Sequence, residues 1–334
     1  MEKYSQFRDR GSGISPFLPT SNPSSLLSTL LGTGFLLFRL PLLLSYSALY
    51  FLILDHLPLP QFARKILLWT LLGIPWILWA DLQLDGVKRG SLAAQTQKNH
   101  NKLPSERAII AAQFTSPVDA VYLAAVFDPI FVLSFPGTRK VQRVSLFRAM
   151  TQALASPSSS LTIPHPLQLT TLRALVEANP HRVIAVFPEM TTTNGKGILP
   201  FSPSLLSAPA HATIFPVSLR YTPADITTPV PGAWGAFLWN LLSQPTHSLR
   251  VRIAEGVANT TADVNGVDAE KVVDESDEDS EEDGTEDEEN FTPEEKRLLD
   301  HVGDTLARLA RNKRVGLRLK DKAAFVEAWS KKRR

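Results

Sequence analysis

The feature that most constrains the fold is a nearly unbroken apolar run from Ser25 to Leu54, interrupted only by Arg39 and Pro41. As a helix rising about 1.5 Å per residue, such a run would reach about 45 Å, longer than the bilayer hydrocarbon core of about 30 Å. Two arrangements fit: one long, kinked span, or a helical hairpin that enters and leaves on the same side. Pro41 favours a break, because proline interrupts helical hydrogen bonding.

A second apolar segment, Ile66 to Ala80, is short for a full span and rich in tryptophan, a residue that prefers the membrane interface. We therefore predict a membrane-embedded helical hairpin region over residues 25–84, with a pair of buried core helices as the alternative. Residues 1–24 mix charge, glycine, serine and proline, and we expect a loose, flexible tail rather than a signal peptide.

Residues 100–257 alternate between strand-like and helix-like runs, which is typical of an α/β domain. We predict a mixed sheet flanked by helices. The apolar runs predict strands near residues 108–113, 129–135, 182–187, 213–221 and 249–253. Helical spacing predicts helices near residues 118–127, 144–155 and 167–178.

The acidic residues are unevenly distributed along the chain. Twelve of the 33 lie in residues 274–289, so the rest of the chain has 35 basic against 21 acidic residues, a formal charge of about +14. We expect residues 258–291 to form a disordered acidic loop, and residues 292–334 to form C-terminal helices with a basic end. A basic remainder suits an anionic membrane surface or an anionic substrate.

Several functions are excluded or unsupported by the sequence. The absence of cysteine excludes a disulfide scaffold, thiolate zinc sites and cysteine catalysis. The sequence contains no glycine-rich nucleotide loop, no G-x-S-x-G motif and no metal-ligand cluster, so neither a metal nor a hydrolase is predicted. Because the basic residues lack interleaved aromatics, we expect no nucleic-acid partner.

Two of the predicted strands are each followed by a turn that contains polar residues. After the strand near residue 186 come Glu189, three threonines, an asparagine, two glycines and Lys196, a set that can hold a phosphate group. The segment from Gln113 to Asp119 also follows a predicted strand. These two turns are the candidate site.

In these turns the sequence resembles the glycerophospholipid acyltransferase superfamily, through four blocks that occur in the family's order. The family patterns N-H-x-x-x-x-D, G-x-x-F-I-x-R, F-P-E-G-T and V-P-I/V are matched by residues 113–119, 137–143, 187–191 and 214–217. The resemblance covers about residues 100–257, and it is nearest to the fungal lysophosphatidic acid acyltransferases associated with lipid droplets and vacuolar sorting.

This resemblance implies acyl transfer from acyl-CoA to the hydroxyl of lysophosphatidic acid, giving phosphatidic acid. Acyl-CoA would be a co-substrate, with no bound cofactor, and membrane lipid would be the partner. The implied location is the endoplasmic reticulum membrane and the lipid droplet, with the catalytic domain in the cytosol.

Six residues are predicted to form the site. The resemblance carries roles onto Asp119, Arg143, Glu189 and Thr191, Gly137 is matched in the second block, and Lys196 is added from the residues of its turn. The predicted catalytic residues are Asp119 and Glu189, and the predicted substrate-binding residues are Gly137, Arg143, Thr191 and Lys196. Four of them have an ordinary alternative: a surface charge for Arg143, a turn cap for Glu189, a tight loop for Thr191 and a helix cap for Asp119.

The chain departs from the family at the general base, because Phe114 occupies the histidine position and cannot accept a proton. Asp119 could serve as base if burial raised its pKa, or it could only cap a helix. His100 or His165 could instead fold over the site. Three outcomes follow: an acyltransferase with a relocated base, a weak enzyme that works by positioning, or an inactive acyltransferase-like protein in lipid binding or trafficking.

Overall fold

The computed structural model describes residues 2–20, 25–85, 103–260 and 291–331. Its centre is a mixed sheet with strand order β1-β8-β7-β2-β5-β3-β4, and β9 pairs with β7. The neighbours β7, β2, β5 and β3 are parallel, so the ends of β2 and β5 meet at one edge. The strands are β1 (Trp79–Leu84), β2 (Ile109–Ala112), β3 (Ile130–Ser134), β4 (Val141–Val144), β5 (Ile184–Val186), β6 (Gly197–Ile198), β7 (Thr213–Thr222), β8 (Ser248–Ile253), β9 (Val257–Ala258) and β10 (Lys313–Arg314).

Helices cover both faces of the sheet. Alternate residues of β2 point to opposite faces: Ile110 packs into the core with α2, α3 and α7, while Ile109 packs into a second core with α6 and α8. The helices are α1 (Leu26–Leu52), α2 (Gln61–Gly73), α3 (Pro117–Phe127), α4 (Leu146–Gln152), α5 (Pro157–Leu161), α6 (Leu172–Ala178), α7 (Trp234–Ser243), α8 (Pro293–Ala310) and α9 (Leu319–Lys331).

The predicted mixed α/β sheet is confirmed, and each of the five predicted strands is present. Five strands were not predicted: the two-residue strands β6, β9 and β10, and the longer β1 and β4. Residues 79–84, assigned to the membrane region, form β1 and pair with β8, because Trp-Ala-Asp-Leu-Gln-Leu alternates apolar and polar side chains in its second half. Strand β4 was also not predicted; the helix predicted over 144–155 overlaps it only at Val144, and β4 runs antiparallel along β3.

The long apolar run forms one continuous helix. The break predicted at Pro41 is wrong: α1 passes through it, and the chain turns only after Leu52. Residues Leu26–His56 are the one stretch of the described chain long and apolar enough to cross a membrane, and most of that stretch is exposed. Large apolar side chains such as Leu26, which is 88% exposed, indicate membrane association. A hairpin within this run is not seen.

Arg39 fastens α1 to the α/β domain. Its guanidinium is buried and donates to the backbone oxygens of Leu242 at 3.3 Å, Gln244 at 2.6 Å and Pro245 at 3.1 Å. These carbonyls lie at the end of α7, where helix carbonyls lack partners and attract a cation. The charge inside the apolar run is therefore a docking contact with the domain.

The N-terminal segment packs against the domain, which corrects the expectation of a loose tail for the described part of residues 1–24. Phe17 is buried beside Phe325 of α9. The side chain of Asn194 donates to the backbone oxygens of Ser15 and Leu18, both at 2.8 Å. Aromatic burial and these hydrogen bonds order a segment whose glycine and serine content suggested flexibility.

The C-terminal helices form as predicted. Thr292 caps α8 in a capping box with Glu295, and the buried Glu295 side chain also forms an ion pair at 2.9 Å with Arg139, whose side chain is partly exposed. Helix α9 then lies beside the turn that follows β5. The predicted acidic loop at 258–291 and the basic end at 331–334 lie mainly outside the described residues.

Candidate functional site

The loop after β2 is organised by Asp119. We call residues 113–116 the first-block loop. Ser116 caps α3, and Asp119 at the third helical position completes a capping box. The Asp119 Oδ2 atom accepts from the backbone N–H of Thr115 at 2.7 Å and of Ser116 at 2.9 Å, and from the Thr115 hydroxyl at 3.1 Å.

A fourth donor completes the surroundings of Asp119. The hydroxyl of Tyr221, on β7, donates to Asp119 Oδ1. The carboxyl group is fully buried, and this burial raises its pKa to about 6 in spite of the donors. The hydrogen bonds of Asp119 thus hold the first-block loop against α3 and β7.

The loop after β5 carries the second carboxyl group. We call residues 187–196 the third-block loop. Glu189 Oε2 accepts from the backbone N–H of Leu199 at 3.0 Å, and Oε1 accepts from that of Phe114 at 3.4 Å. Burial raises the pKa of Glu189 to about 8, and the charge of Asp119 adds to this rise. Consecutive amides, of Phe114 and Thr115, therefore hold the two carboxyl groups next to each other.

Aromatic side chains fill the position of the family's general base. Phe114 is 1% exposed and stacks on Phe187 with ring centroids 4.3 Å apart. Only about 10 Å³ of space remains beside these rings. Met190, in place of the family glycine, lines this space in a left-handed conformation with φ of 59°. The described structure therefore places no proton acceptor at the base position.

One of the two histidines proposed from the sequence, His165, lies away from the two loops. His165 is exposed and its ring accepts from the backbone N–H of Leu167 at 3.4 Å, as a cap of the turn that follows it. His100 lies outside the described residues. The one buried histidine in the described chain, His247, contacts the Leu241 carbonyl oxygen in α7 at 2.8 Å.

A cavity of about 470 Å³ opens beside Glu189, and we call it the large cavity. Gly137, of the second block, and Glu189 both line it, so these two predicted residues are brought together. Its far wall comes from α8, α9 and the segment between them, which contribute basic residues: Lys296, Arg314, Arg318 and Lys320. The large cavity thus combines one buried carboxyl group with a basic wall, on which these four basic residues outnumber the single carboxylate, Asp300.

The other predicted substrate-binding residues lie elsewhere. Because β4 runs back along β3 from the turn at Gly137, Arg143 pairs with Val132 and lines a separate cavity with Asp128. Lys196 is exposed and lines a third cavity. The structure therefore does not bring Arg143 or Lys196 into the large cavity.

Lys322 is a buried residue that sequence reasoning missed. From α9, its Nζ donates to the hydroxyl oxygens of Thr191 at 2.8 Å and Thr192 at 3.1 Å, and to the Thr192 carbonyl oxygen at 2.6 Å. Burial lowers its pKa to about 7, against the opposing effect of the Glu189 charge. The signal was its spacing: Leu319 and Phe325, three residues away on either side, are also buried.

Comparison with known proteins gives two fungal relatives, and no family model matches the chain. The chain is 27% identical over 262 residues to a Schizosaccharomyces pombe protein named "Putative lysophosphatidic acid:oleoyl-CoA acyltransferase", covering 76% of this chain and 84% of that one. It is 26% identical over 204 residues to "Lysophosphatidic acid:oleoyl-CoA acyltransferase 1" of Saccharomyces cerevisiae, covering 60% and 61%. The chain is similar to fungal lysophosphatidic acid acyltransferases.

These relatives confirm the superfamily and the fungal group that the four sequence blocks indicated. Among solved structures, the 1-acyl-sn-glycerophosphate acyltransferase PlsC of Thermotoga maritima aligns with 86% of this chain and 97% of that chain, with 14% identity and a TM-score of 0.41.

Proposed function

We propose that this chain transfers the acyl group of acyl-CoA to the hydroxyl of lysophosphatidic acid and so forms phosphatidic acid. The named activity of the two fungal relatives supports this reaction. The observation that carries the proposal is the placement of Glu189, which is held by the first-block loop and lines the large cavity together with Gly137 and basic side chains.

Glu189 is the proton acceptor in this proposal. An alcohol is a poor nucleophile unless a base removes its proton as it attacks. With a pKa raised to about 8, the carboxylate of Glu189 is a much stronger base than an ordinary one. The acceptor oxygen bonds to the thioester carbonyl carbon, the carbon–sulfur bond breaks, and the proton passes through Glu189 to the leaving CoA thiolate.

The basic wall of the large cavity holds the phosphate group of lysophosphatidic acid. Arg314 is already paired with Asp300 at 2.8 Å, so Lys296 and Lys320, both exposed, are the cations best placed to meet an incoming anion. Acyl-CoA enters as a co-substrate, and the chain needs no resident cofactor for this chemistry.

Asp119 acts by position in this proposal. Its four hydrogen-bond donors fix the conformation of the first-block loop. The backbone amide of Phe114 in this loop then donates to Glu189 and holds it in place. The sequence-based assignment of Asp119 as a catalytic residue becomes here a role in orienting Glu189.

A second candidate function is that of an inactive acyltransferase-like protein that binds lipid. The stacking of Phe114 on Phe187 favours it, because the position of the family base is filled by carbon. In that case the large cavity would bind lysolipid without turnover.

An assay of the purified full-length protein in lipid vesicles separates the two candidates. Labelled oleoyl-CoA and lysophosphatidic acid should yield phosphatidic acid, and Glu189→Gln should lower kcat by about 10²- to 10⁴-fold. The matched control is Glu177→Gln, the same change at an exposed carboxylate on α6, which should leave kcat unchanged. Lysolipid binding without product, or equal product from both variants, would contradict the proposed mechanism.

We further propose that the protein works at the endoplasmic reticulum membrane and at lipid droplets, with the α/β domain in the cytosol. The exposed apolar surface of α1 supports membrane attachment. A fluorescent fusion of the full chain should label the reticulum and, in oleate-fed cells, the droplet rim. A diffuse cytosolic signal would contradict this location.

A further inference from the structure

A polar cavity of about 110 Å³ lies on the side of the first-block loop that the proposed reaction does not use. Gln113 and Thr115 form its wall after β2, and Arg220 and Tyr221 form its wall on β7. Residues from the third-block loop, among them Lys196, and Asn312 after α8 close it. We call it the polar cavity, and it abuts the Tyr221 side chain that donates to Asp119.

Positive charge is concentrated around the polar cavity. Arg220 on β7 is directly opposite Arg250 on β8, and Ser218 is opposite Arg252, so these four side chains share one face of the sheet. Burial lowers the pKa of Arg252, and the like charges of Arg311, Arg250 and Arg220 lower it further. These arginines therefore stand close enough to repel one another.

Few carboxylates balance this charge. Arg250 pairs with Asp81 at 3.1 Å, and Arg252 donates to the carbonyl oxygen of Leu309 at 2.6 Å. Within the described ranges, no carboxylate forms an ion pair with Arg220 or Lys196. Two cations on the cavity wall are therefore available to an anion.

A buried donor without an acceptor points to the same ligand. Gln113 is 2% exposed; its Oε1 accepts from the Ser218 hydroxyl at 3.3 Å, while its Nε2 atom has no hydrogen-bond partner. Buried amide groups are nearly always satisfied, so an unused donor in a cavity wall calls for an acceptor from outside the chain.

We propose that the polar cavity binds a phosphate group of a substrate, through Arg220 and Lys196 as cations and the Gln113 side-chain amide as donor. The proposed function, on which this inference rests, places the headgroup of lysophosphatidic acid in the large cavity, so the nucleotide part of acyl-CoA is the phosphate expected in the polar cavity. Occupation by the lysophosphatidic acid headgroup instead is the alternative that the test distinguishes. The site itself is independent of turnover, since it requires only binding.

The test is equilibrium binding to the full-length protein in detergent micelles, with CoA, oleoyl lysophosphatidic acid and inorganic phosphate as separate probes. Arg220→Gln removes one charge from the cavity, and Gln113→Leu removes the unpaired donor. The matched control is Arg297→Gln, which removes an exposed charge from α8 outside the cavity.

Arg220→Gln should weaken binding of one probe about tenfold, and Gln113→Leu should weaken the same probe, while the control leaves it unchanged. Weaker CoA binding alone assigns the cavity to the acyl donor, and weaker lysophosphatidic acid binding alone assigns it to the acceptor. Affinities for all three probes that equal the wild-type values in both cavity variants would overturn the proposal.

The outcome separates this proposal from the proposed function. If Arg220→Gln weakens CoA binding but the wild-type protein forms no phosphatidic acid, the phosphate site is supported and the proposed reaction is contradicted. If Arg220→Gln shows normal turnover and unchanged binding of all three probes, the proposed reaction is supported and the phosphate site is contradicted.

Discussion

The first-block and third-block loops both end parallel strands and both bury a carboxyl group, yet they place those groups in different surroundings. Asp119 is surrounded by four donors and faces α3 and β7, whereas Glu189 has two amide donors and faces the large cavity. The base position of the first-block loop is filled by Phe114. In the proposed mechanism, the first-block loop therefore positions Glu189, and the third-block loop supplies the proton acceptor.

Replacement of Phe114 tests the supporting role of the first-block loop and should have the largest effect on the free energy of unfolding. Phe114→Ala should lower the free energy of unfolding by about 3–5 kcal/mol, because it removes a buried ring that stacks on Phe187. The kcat of the folded protein should fall less than tenfold, since the ring takes no part in proton transfer. Denaturant unfolding and kcat per folded molecule measure the two quantities.

Phe114→Leu serves as the control for that change, since it keeps much of the buried volume and should be less destabilising. A hundredfold loss of kcat in stably folded Phe114→Leu would show that the ring has a role in the reaction, and the contrast between the loops would fail.

Replacement of Asp119 should lower the free energy of unfolding by less than replacement of Phe114 does. Asp119→Asn should lower the free energy of unfolding by about 1–3 kcal/mol, because a neutral amide is a weaker partner for four donors. A double-mutant cycle with Tyr221→Phe should give a coupling of about 1 kcal/mol or more. Additive effects would contradict the view that Tyr221 and Asp119 form one supporting unit.

The contribution of Lys322 to stability should depend on pH. Its pKa is about 7 when folded and about 10.5 when unfolded, so between these values the unfolded chain binds more protons and stability rises with pH. The Tm of the wild type minus that of Lys322→Met should therefore increase from pH 7 to pH 10. A constant difference would mean that Lys322 is not buried against the third-block loop.

The sequence predicted the sheet because its central strands are nearly continuous apolar runs between turns. It did not predict β1, because Trp79 and its neighbours continue an apolar segment, nor the packed N-terminal residues, because Phe17 is ordered by the distant Phe325. Strand identity depends on local pattern, while these contacts depend on partners far along the chain.

The same distinction applies to the site. The two carboxyl-bearing loops could be found, because each follows a strand and matches a family block. Lys322 lies 131 residues from Thr191, and no local pattern links a lysine in an amphipathic helix to that threonine. The separation of Gly137 and Arg143 follows from the return of β4, which the sequence pattern did not show.

The pH dependence of kcat/KM most directly tests the claim that Glu189 accepts the proton. For the wild type, kcat/KM with oleoyl-CoA and lysophosphatidic acid, corrected for spontaneous thioester hydrolysis, should rise with pH and level off above about 8, the pKa of Glu189. The residual activity of Glu189→Gln should lack this rise. A rise near pH 6 that persists in Glu189→Gln would assign the proton to Asp119 or a histidine and would contradict the account.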